Sequence, residues 1–472
     1  MSDPEILNNQ PENGETAPDG LLADLESGIE AKVVNALEEG DSAYVRTLID
    51  ELHYTDIADL LERVGENHRA DLVEIIRPGF EAEILPDLDD AVRDSVIELL
   101  GIKDVAAAMV ELDSDDAVVV LEELGEDHQK QVLDAIPEIE RAILEESLAY
   151  PEDSAGRLMQ RELVTVPTFW TIGDTIDFLR RNAESEDNPL PDQFYVVYVT
   201  DPGHRPVGRI ALDQILRSKR PVRLEDIMET DLKTVPATAD QEDVAFLFRQ
   251  RDLISAPVVD ESGRLVGAVT IDDIVDVIDE EHEEDIMRMA GVREHDMYDA
   301  VIDTARSRLS WLVINLLTAI LASSVIGLFD ATIEQIVALA VLMPIVASMG
   351  GNAGTQTLTV AVRAIAMKEI TATNASRLIG KELMVGLFNG IVFAVLSGAV
   401  AWAWFGSPEL GAVIGMAMVV NMIVAGAAGA VIPIVLDRLD VDPAVASGVF
   451  LTTITDVVGF FVFLGLAALV LL

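Results

Sequence analysis

The chain has 472 residues, half of them hydrophobic, and a formal net charge of −51 from 83 acidic and 32 basic residues. A mean hydropathy of +0.31 together with 24% charged residues excludes one uniform globular domain, so polar and apolar residues must lie in separate regions. The acidic excess excludes a nucleic-acid partner, whose phosphates need basic groups, and makes cations the expected partners.

Two further features of the composition bear on the chemistry. The chain has no cysteine, which excludes disulfides and thiolate metal sites and leaves oxygen as the expected metal ligand. The acidic excess has an alternative reading, in which Asp and Glu coat the soluble segments as an adaptation to salt. That adaptation does not exclude ion binding at particular positions.

The N-terminal third of the chain is acidic and mainly helical in pattern. Residues 1–20 lack the basic and apolar pattern of a signal peptide, which predicts a disordered acidic tail in the cytoplasm. Residues 21–149 carry a weak repeat, in which Ala58-Asp-Leu-Leu-Glu-Arg-Val-Gly-Glu-Asn-His68 matches Val118-Val-Val-Leu-Glu-Glu-Leu-Gly-Glu-Asp-His128 at an offset of 60. This repeat predicts a helical solenoid of stacked hairpins, and the alternative is chance similarity between acidic helices.

Residues 150–279 alternate β-rich and helical patterns in two similar units. The first unit opens with Leu163-Val-Thr-Val-Pro167 and the second with Leu232-Lys-Thr-Val-Pro236. Each unit continues through a helix, a β-rich run, a glycine-containing turn, a closing strand and a second helix. This duplicated β-α-β-β-α module resembles a tandem pair of CBS domains, a regulatory fold that senses nucleotides or ions.

The C-terminal third of the chain is predicted to lie in a membrane. Residues 280–305 contain an acidic connecting helix and a linker, and residues 306–472 form the membrane domain. Its five apolar segments each exceed the roughly 20 residues that cross a bilayer, and they are 309–329, 336–362, 383–405, 410–435 and 444–472. The fold class is a multidomain chain with a helical solenoid, an α/β CBS pair, a connecting helix and five transmembrane helices.

The basic residues that flank the apolar segments predict an orientation. They lie before the first span and in the second and fourth connections, and they are Arg306, Arg308, Arg363, Lys368, Arg377, Lys381 and Arg438. With five spans and a cytoplasmic N-terminus, all of them are cytoplasmic, as the positive-inside rule requires. We therefore expect a multi-pass protein of the cell membrane with an extracytoplasmic C-terminus.

Polar residues inside the spans point to function, because a carboxylate at a helix centre costs about 2.5–3.5 kcal/mol on insertion scales. Asp456 is the only acid well inside a predicted span, and no Lys or Arg lies within a span to pair with it. Gly350-Gly-Asn-Ala-Gly-Thr-Gln356 interrupts the second apolar run, where glycines either expose carbonyls to a pore or allow close helix packing. The candidate pore-lining residues are Gly350, Gly351, Asn352, Thr452, Thr453 and Gly459.

The glycine motif, Asp442-Pro-Ala-Val-Ala-Ser-Gly448 and Thr452-Thr-Ile-Thr-Asp456 resemble the MgtE family of magnesium channels, as does the domain order after residue 20. The resemblance implies a homodimer in the lipid bilayer, with hydrated Mg²⁺ held at Asp456 in a pore on the two-fold axis. It also implies that Asp442 shares ions with the connecting, or plug, helix at the cytoplasmic mouth. The other implied metal ligands are Glu242, Asp252, Asp273, Asp276, Glu281, Glu284 and Asp285.

The function implied by the resemblance is a Mg²⁺-selective channel for magnesium uptake, closed when cytosolic Mg²⁺ bridges acids of the N-terminal, CBS and plug regions. Two alternatives stay open: a secondary transporter that exchanges a divalent cation for Na⁺ or H⁺, and a CBS membrane sensor that moves no ion. No motif indicates an enzyme. ATP is a further candidate ligand, which Thr270 and Asp273 of the second module would bind. The first module has Ala211 and Gln214 at the matching positions, which makes ATP binding doubtful.

Overall fold

The computed structural model describes residues 28–183, 190–191, 193–292, 301–371, 373–439 and 441–472. The tail predicted at residues 1–20 lies outside these residues, as does part of the predicted linker within 280–305. The chain divides into two compact units, one comprising Met1–Val244 and Arg251–Asp273 and the other Ala245–Gln250 and Ile274–Leu472.

The N-terminal part of the first unit is helical throughout its described residues. Its helices are α1 (Ile29–Glu38), α2 (Ser42–Ile49), α3 (Tyr54–Arg63), α4 (Glu66–Ile76), α5 (Asp90–Leu100), α6 (Ile102–Glu111), α7 (Ser114–Glu122), α8 (Glu126–Ala135) and α9 (Glu138–Leu148), with a 3₁₀ turn at Ala82–Ile84. One apolar core, which includes the fully buried Leu60, Leu61 and Leu121, runs through these helices. Short amphipathic helices become stable in this way because each buries its apolar face against its neighbours.

The 60-residue repeat in the sequence has a structural counterpart. Helices α3 and α4 correspond to α7 and α8 at the same offset. The Arg69 side chain donates to the Leu61 carbonyl (Nε–O 2.8 Å), and the Gln129 side chain donates to the Leu121 carbonyl (Nε2–O 2.7 Å). The two copies therefore close their hairpins with the same hydrogen bond, which chance similarity of sequence does not explain.

Two three-stranded sheets follow along the chain. Their elements are α10 (Ala155–Leu158), β1 (Thr165–Pro167), α11 (Ile172–Asn182), β2 (Val196–Thr200), β3 (Pro206–Ala211), α12 (Leu212–Arg217), a 3₁₀ turn (Leu224–Asp226), β4 (Val235–Pro236), α13 (Gln241–Arg251), β5 (Ser255–Val259) and β6 (Leu265–Thr270). In each sheet the first strand is parallel to the second, and the second is antiparallel to the third. Both middle strands also shift register at their last residue. The sheets are two copies of one module, as predicted.

A connecting helix and five apolar helices dominate the second unit. They are α14 (Ile271–Ala290), α15 (Val301–Gly327), α17 (Ala338–Ala366), α18 (Ala375–Phe405), α19 (Pro408–Asp437) and α20 (Pro443–Val470), and the short α16 (Asp330–Gln335) follows α15. Helices α15, α17, α18, α19 and α20 contain the 5 candidate membrane spans among the described residues. The predicted set of five membrane helices is confirmed.

The helices differ from the predicted apolar segments in two respects. Helix α15 already includes Val301, the first described residue after residue 292, and α18 begins at Ala375, so both contain residues that precede the predicted apolar segments. Charged residues in the first turns of a membrane helix keep their heads at the interface, so hydropathy marks the apolar centre and not the helix start. In addition, α17 continues as a helix through residues 350–356, so the glycine segment does not interrupt it.

Helix α19 lies at the centre of the apolar helices. Half of its most apolar stretch is buried, against 6% for α15, and it packs along α17, α18 and α20. Glycines allow the close approach: a Cβ at Gly386 of α18 would lie 2.5 Å from the Met422 carbonyl oxygen of α19. A Cβ at Gly429 of α19 would lie 2.6 Å from the Gly354 carbonyl oxygen of α17. Small residues thus replace apolar side chains as the means of joining these helices.

Candidate functional site

Asp456 is partly buried in the middle of α20. Its carboxylate has neither a hydrogen bond nor an ion pair with another described residue. The hydroxyls of Thr452 and Thr453 donate to carbonyls of their own helix, and so does the buried hydroxyl of Thr455. The carboxylate is therefore available to a cation, and the ion-pair alternative has no partner in the described part of the chain.

The candidate pore-lining residues fall into an open group and a packed group. Those with exposed or partly exposed surface are Gly351, Asn352, Thr452 and Thr453. Gly350 and Gly459 are buried, and both lie against the side-chain amide of Asn421 in α19. Close helix packing is thus the role the structure shows for Gly350 and Gly459, because neither has an open face within the protomer.

A second carboxylate lies inside the membrane helices and was not predicted. Glu382 of α18 is only 7% exposed, and its Oε2 accepts a hydrogen bond from Thr357 Oγ1 of α17 at 3.1 Å. Lys381 Nζ lies 3.7 Å from the other oxygen, on a side chain that is two-thirds exposed. The prediction that Asp456 is the only acid well inside a span stays a prediction, because Glu382 is the eighth residue of α18 and lies just before the predicted apolar segment.

Helical spacing, and not hydropathy, could have predicted that the Glu382 side chain is buried between helices. The apolar segment predicted for this span began at residue 383, which left Glu382 just outside it. Glu382, Gly386 and Gly390 follow one another at intervals of four and are all buried on the packed face of α18. Residues four apart share a helix face, so the spacing indicates that the Glu382 side chain lies on the same packed face as the glycines.

Three acids and one base meet where the end of α14 lies beside the start of α20. Arg288 pairs with Asp442 (Nη1–Oδ2 2.7 Å) and with Glu284. The other Asp442 oxygen caps α20 by accepting from the Ala444 backbone N–H at 2.7 Å. Burial raises the pKa of Asp285, and the Asp442 charge raises it further. The structure thus brings together three of the predicted acids, but Arg288 was not foreseen as their partner.

The first turn of α14 belongs to a second group of acids, in which the others come from the start of α7. Burial raises the pKa of Asp115 well above its usual range, and the charge of Asp273 raises it further. Burial also raises the pKa of Asp116 to about 7, with Asp273 and Asp113 adding to the effect. The N-terminus of α7 favours carboxylates through its helix dipole. Asp115 and Asp116 were missed because an acidic first turn is usually a solvated cap.

The remaining predicted ligands are more dispersed. Glu242 lies in the first turn of α13 and Asp252 follows its last residue, so they are about 15 Å apart along the axis and cannot share one ion within a protomer. Asp276 and Glu281 lie on α14 between its two acidic ends. Among the described residues, no group of three or more His, Asp or Glu side chains has the spacing of a directly coordinated metal.

The two CBS-like modules differ at the position predicted to bind ATP. Thr270 Oγ1 donates to Asp273 Oδ2 at 2.6 Å, whereas Gln214 Nε2 of the first module donates to the Ile227 carbonyl at 2.8 Å. Asp273 therefore accepts a hydrogen bond from Thr270 and also belongs to the group of acids at the start of α7.

Family models match three parts of the chain. The MgtE model, described as a divalent cation transporter, matches residues 343–466, the MgtE intracellular N domain matches 52–153, and a CBS domain matches 224–280. The magnesium transporter MgtE of Bacillus subtilis is 32% identical over 437 residues, 92% of this chain and 96% of its own. The chain belongs to the MgtE family. The Thermus thermophilus member is also 32% identical, over 95% of this chain and 99% of its own.

A solved structure adds a similarity in the cytosolic part of MgtE. The cytosolic domain of the Mg²⁺ channel MgtE in complex with ATP is 30% identical and covers 52% of this chain and 99% of its own, with a TM-score of 0.48. Membership of the MgtE family, together with five apolar helices among the described residues, makes this chain a multi-pass membrane protein.

Asp116 leads to a prediction about stability and pH. Its pKa of about 7 lies above the ordinary 3.8, so its contribution to the free energy of unfolding is present below about pH 4 and is lost as the pH rises to 7. Asp116→Asn should therefore raise the unfolding free energy above neutral pH by about 1–2 kcal/mol, without divalent cations, and flatten its decline between these pH values. Thermal unfolding followed against pH measures both effects.

The exposed Asp71 of α4 supplies the matched control for Asp116. Asp71→Asn should leave the pH profile of unfolding unchanged. A profile that is the same in the parent and in Asp116→Asn would contradict the role of this carboxylate.

Proposed function

We propose that the chain is a homodimeric Mg²⁺ channel of the cell membrane, which mediates magnesium uptake and closes at high cytosolic Mg²⁺. The observation that carries the proposal is Asp456, a carboxylate without a partner among the described residues in the middle of a candidate span. Relatives that match nearly the whole chain are named magnesium transporters, which supports the choice of ion. Mg²⁺ sheds its water reluctantly and binds through one or two carboxylates, as two copies of Asp456 would provide.

The pore wall in this proposal is built from the polar residues with open surface. Asn352 belongs to α17, and Thr452 lies one turn before Asp456 on α20. The positive-inside rule places the N-terminus in the cytoplasm and the C-terminus outside. Asp442, at the start of α20, then lies at the inner mouth, and a membrane potential that is negative inside drives cations inward.

Gating in this proposal uses the acids at the two ends of α14. Glu284, Asp285 and Asp442 carry a formal charge of −3 when ionised, and the +1 of Arg288 leaves −2, which one Mg²⁺ neutralises. A hydrated ion can bridge these carboxylates through its waters, so direct coordination by three acids is not required. Without the ion, like charges repel and α14 is released from the start of α20.

The acids around Asp273 form the second regulatory group of the proposal. Burial and mutual repulsion oppose the simultaneous ionisation of Asp115, Asp116 and Asp273, and a divalent cation removes that opposition. Asp276 and Glu281 are proposed as additional ligands along α14. Glu242 and Asp252 enter only as separate single-carboxylate ligands, and nucleotide binding at Thr270 and Asp273 is not needed for this mechanism.

The first prediction from the proposed function concerns the Asp456 carboxylate. Asp456→Asn keeps the shape of the side chain but removes its charge, so Mg²⁺ flux into liposomes should fall by roughly tenfold or more while the dimer assembles. Glu409→Gln, which neutralises an exposed acid in the first turn of α19, is the control and should conduct normally. Parent-level flux through assembled Asp456→Asn protein would rule the site out.

The second prediction concerns closure by Mg²⁺. Replacing Glu281, Glu284 and Asp285 together by their amides should raise the cytosolic Mg²⁺ concentration needed for closure by about tenfold or more, since the bridging charge is gone. Glu283→Gln changes an exposed acid of the same helix and should leave that concentration in place. Flux at graded internal Mg²⁺ is the measurement, and unchanged inhibition in the triple variant would reject the gating assignment.

Glu382 favours a second candidate function, a secondary transporter that exchanges a divalent cation for Na⁺ or H⁺. Asp456 is the only acid well inside a predicted span, and the buried Glu382 adds a second carboxylate next to the apolar segment of α18. A carboxylate held by one hydroxyl inside membrane helices is the kind of group that proton and ion relays use.

Flux at a clamped membrane potential separates the two functions. A channel should carry Mg²⁺ at the same rate with or without a Na⁺ or H⁺ gradient, and Glu382→Gln should not alter that independence. An exchanger should depend on one of the gradients and lose this dependence in Glu382→Gln. A chain that moves no cation under any gradient would favour the remaining alternative, a CBS membrane sensor.

A further inference from the structure

One side chain in the membrane domain is fully buried with half of its amide unused. Asn421, in the middle of α19, has no exposed surface. Its Nδ2 donates to the Val346 carbonyl oxygen of α17 at 2.9 Å, and its buried Oδ1 accepts from no described residue. A buried acceptor without a partner costs free energy. Leucine has the same branched outline without that cost, so stability alone does not account for an amide here.

Glycines on two other helices make room for this amide. A Cβ at Gly350 of α17 would lie 2.2 Å from Asn421 Nδ2, and a Cβ at Gly459 of α20 would lie 2.9 Å from the same atom. Any other residue at Gly350 would collide with the amide, and at Gly459 it would press against it. Asn421 is therefore the point at which α17, α19 and α20 converge.

The two glycines belong to the polar segments of the proposed pore. Gly350 lies two residues before Asn352, and positions two apart on a helix point in nearly opposite directions, so Asn352 faces away from the amide. Gly459 lies three residues after Asp456, which is the next turn of the same helix. The amide therefore lies against two glycines that are two and three residues from Asn352 and Asp456.

We propose that Asn421 is a positioning residue for ion conduction: its amide sets the spacing of α17 and α20 and thereby the places of Asn352 and Asp456 in the pore. The hydrogen bond to Val346 gives this contact a direction, because it opposes rotation of α17 about its axis, whereas an apolar side chain would permit it. The inference rests on the proposed function, and Asn421 does not itself contact the ion.

The test separates stability from conduction in the full-length protein. Asn421→Leu should keep or raise the thermal midpoint and still assemble, while Mg²⁺ flux per folded protein falls by roughly tenfold. A merely structural residue would lose stability and flux in proportion, and that result, or parent-level flux, would overturn the inference. Asp456→Asn is measured alongside: if that variant conducts normally, the proposed function fails, whatever Asn421→Leu does.

Cysteine reactivity provides a readout that does not depend on flux. The chain has no cysteine, so Thr452→Cys introduces a single thiol at an exposed position one turn from Asp456. Its rate of modification by a cationic thiol reagent should change when Asn421→Leu is added. Gln335→Cys, at the end of α16, is the control and should react at one rate in both backgrounds. Equal rates at Thr452→Cys in both backgrounds would overturn the inference.

A pair of alanine variants covers the case in which Asn421→Leu fails to fold. Gly350→Ala should destabilise the protein through its collision with the amide, and adding Asn421→Ala should restore part of that stability. The double variant should nevertheless conduct poorly, because it lacks the amide that sets the spacing of α17 and α20. A double variant that conducts like the parent, or one without any recovery of stability, would overturn the inference.

Discussion

Negative charge held away from water without a matching cation is the constraint on which the rest of this structure depends. Three groups of carboxylates deprived of solvent enter the proposed function: Asp456 within the membrane helices, Asp285 beside Asp442, and Asp115 with Asp116 near Asp273. Each arrangement is unfavourable when the acids are ionised and alone, and each improves when a hydrated divalent cation arrives. The proposed conduction and the proposed closure therefore both rely on a hydrated divalent cation that neutralises carboxylates. Conduction uses Asp456, and closure uses the acids at the two ends of α14.

The helices that hold Asp456 are joined mainly by small residues. Gly386 and Gly429 let backbones approach to distances that any side chain would prevent, and a Cβ at Gly354 would collide with the Leu451 side chain. Lipid offers no hydrophobic incentive for helices to associate, so close van der Waals contact has to supply it. The polar exceptions, Asn421 and Glu382, lie in these packed seams, where each has a single hydrogen bond to α17. These hydrogen bonds favour one relative orientation of helices that otherwise contact each other mainly through small residues.

In the proposed gating, Arg288 affects how the ends of α14 and α20 respond to Mg²⁺. An acidic site composed only of Glu284, Asp285 and Asp442 would require a higher positive charge before the connecting helix could lie against α20. The guanidinium supplies one fixed charge at the right place, through its contacts with Asp442 and Glu284. Partly exposed ion pairs contribute only about 0–1 kcal/mol, so the pair biases the helix without locking it. A weak bias of this kind is consistent with the proposed control by dissolved Mg²⁺.

Much of this architecture could be predicted from the order of the amino acids, because it follows from local periodicity. Hydropathy located five membrane helices, the alternation of strands and helices located two CBS-like modules, and the repeat at 58–68 and 118–128 located matching hairpins. A charged residue in an apolar run identified Asp456 directly. Each of these signals lies within one segment of the chain, so no knowledge of distant neighbours was required.

Only the tertiary structure decided which distant groups meet. Arg288 reaches Asp442 across more than 150 positions of chain, Asp115 lies near Asp273, and Asn421 fills the space left by Gly350 and Gly459. The same packing turned Glu382 inward and assigned two glycines to helix contact, which a hydropathy boundary and a glycine motif could not reveal. Such pairings depend on how helices cross, and the crossing is set by side chains from several segments at once.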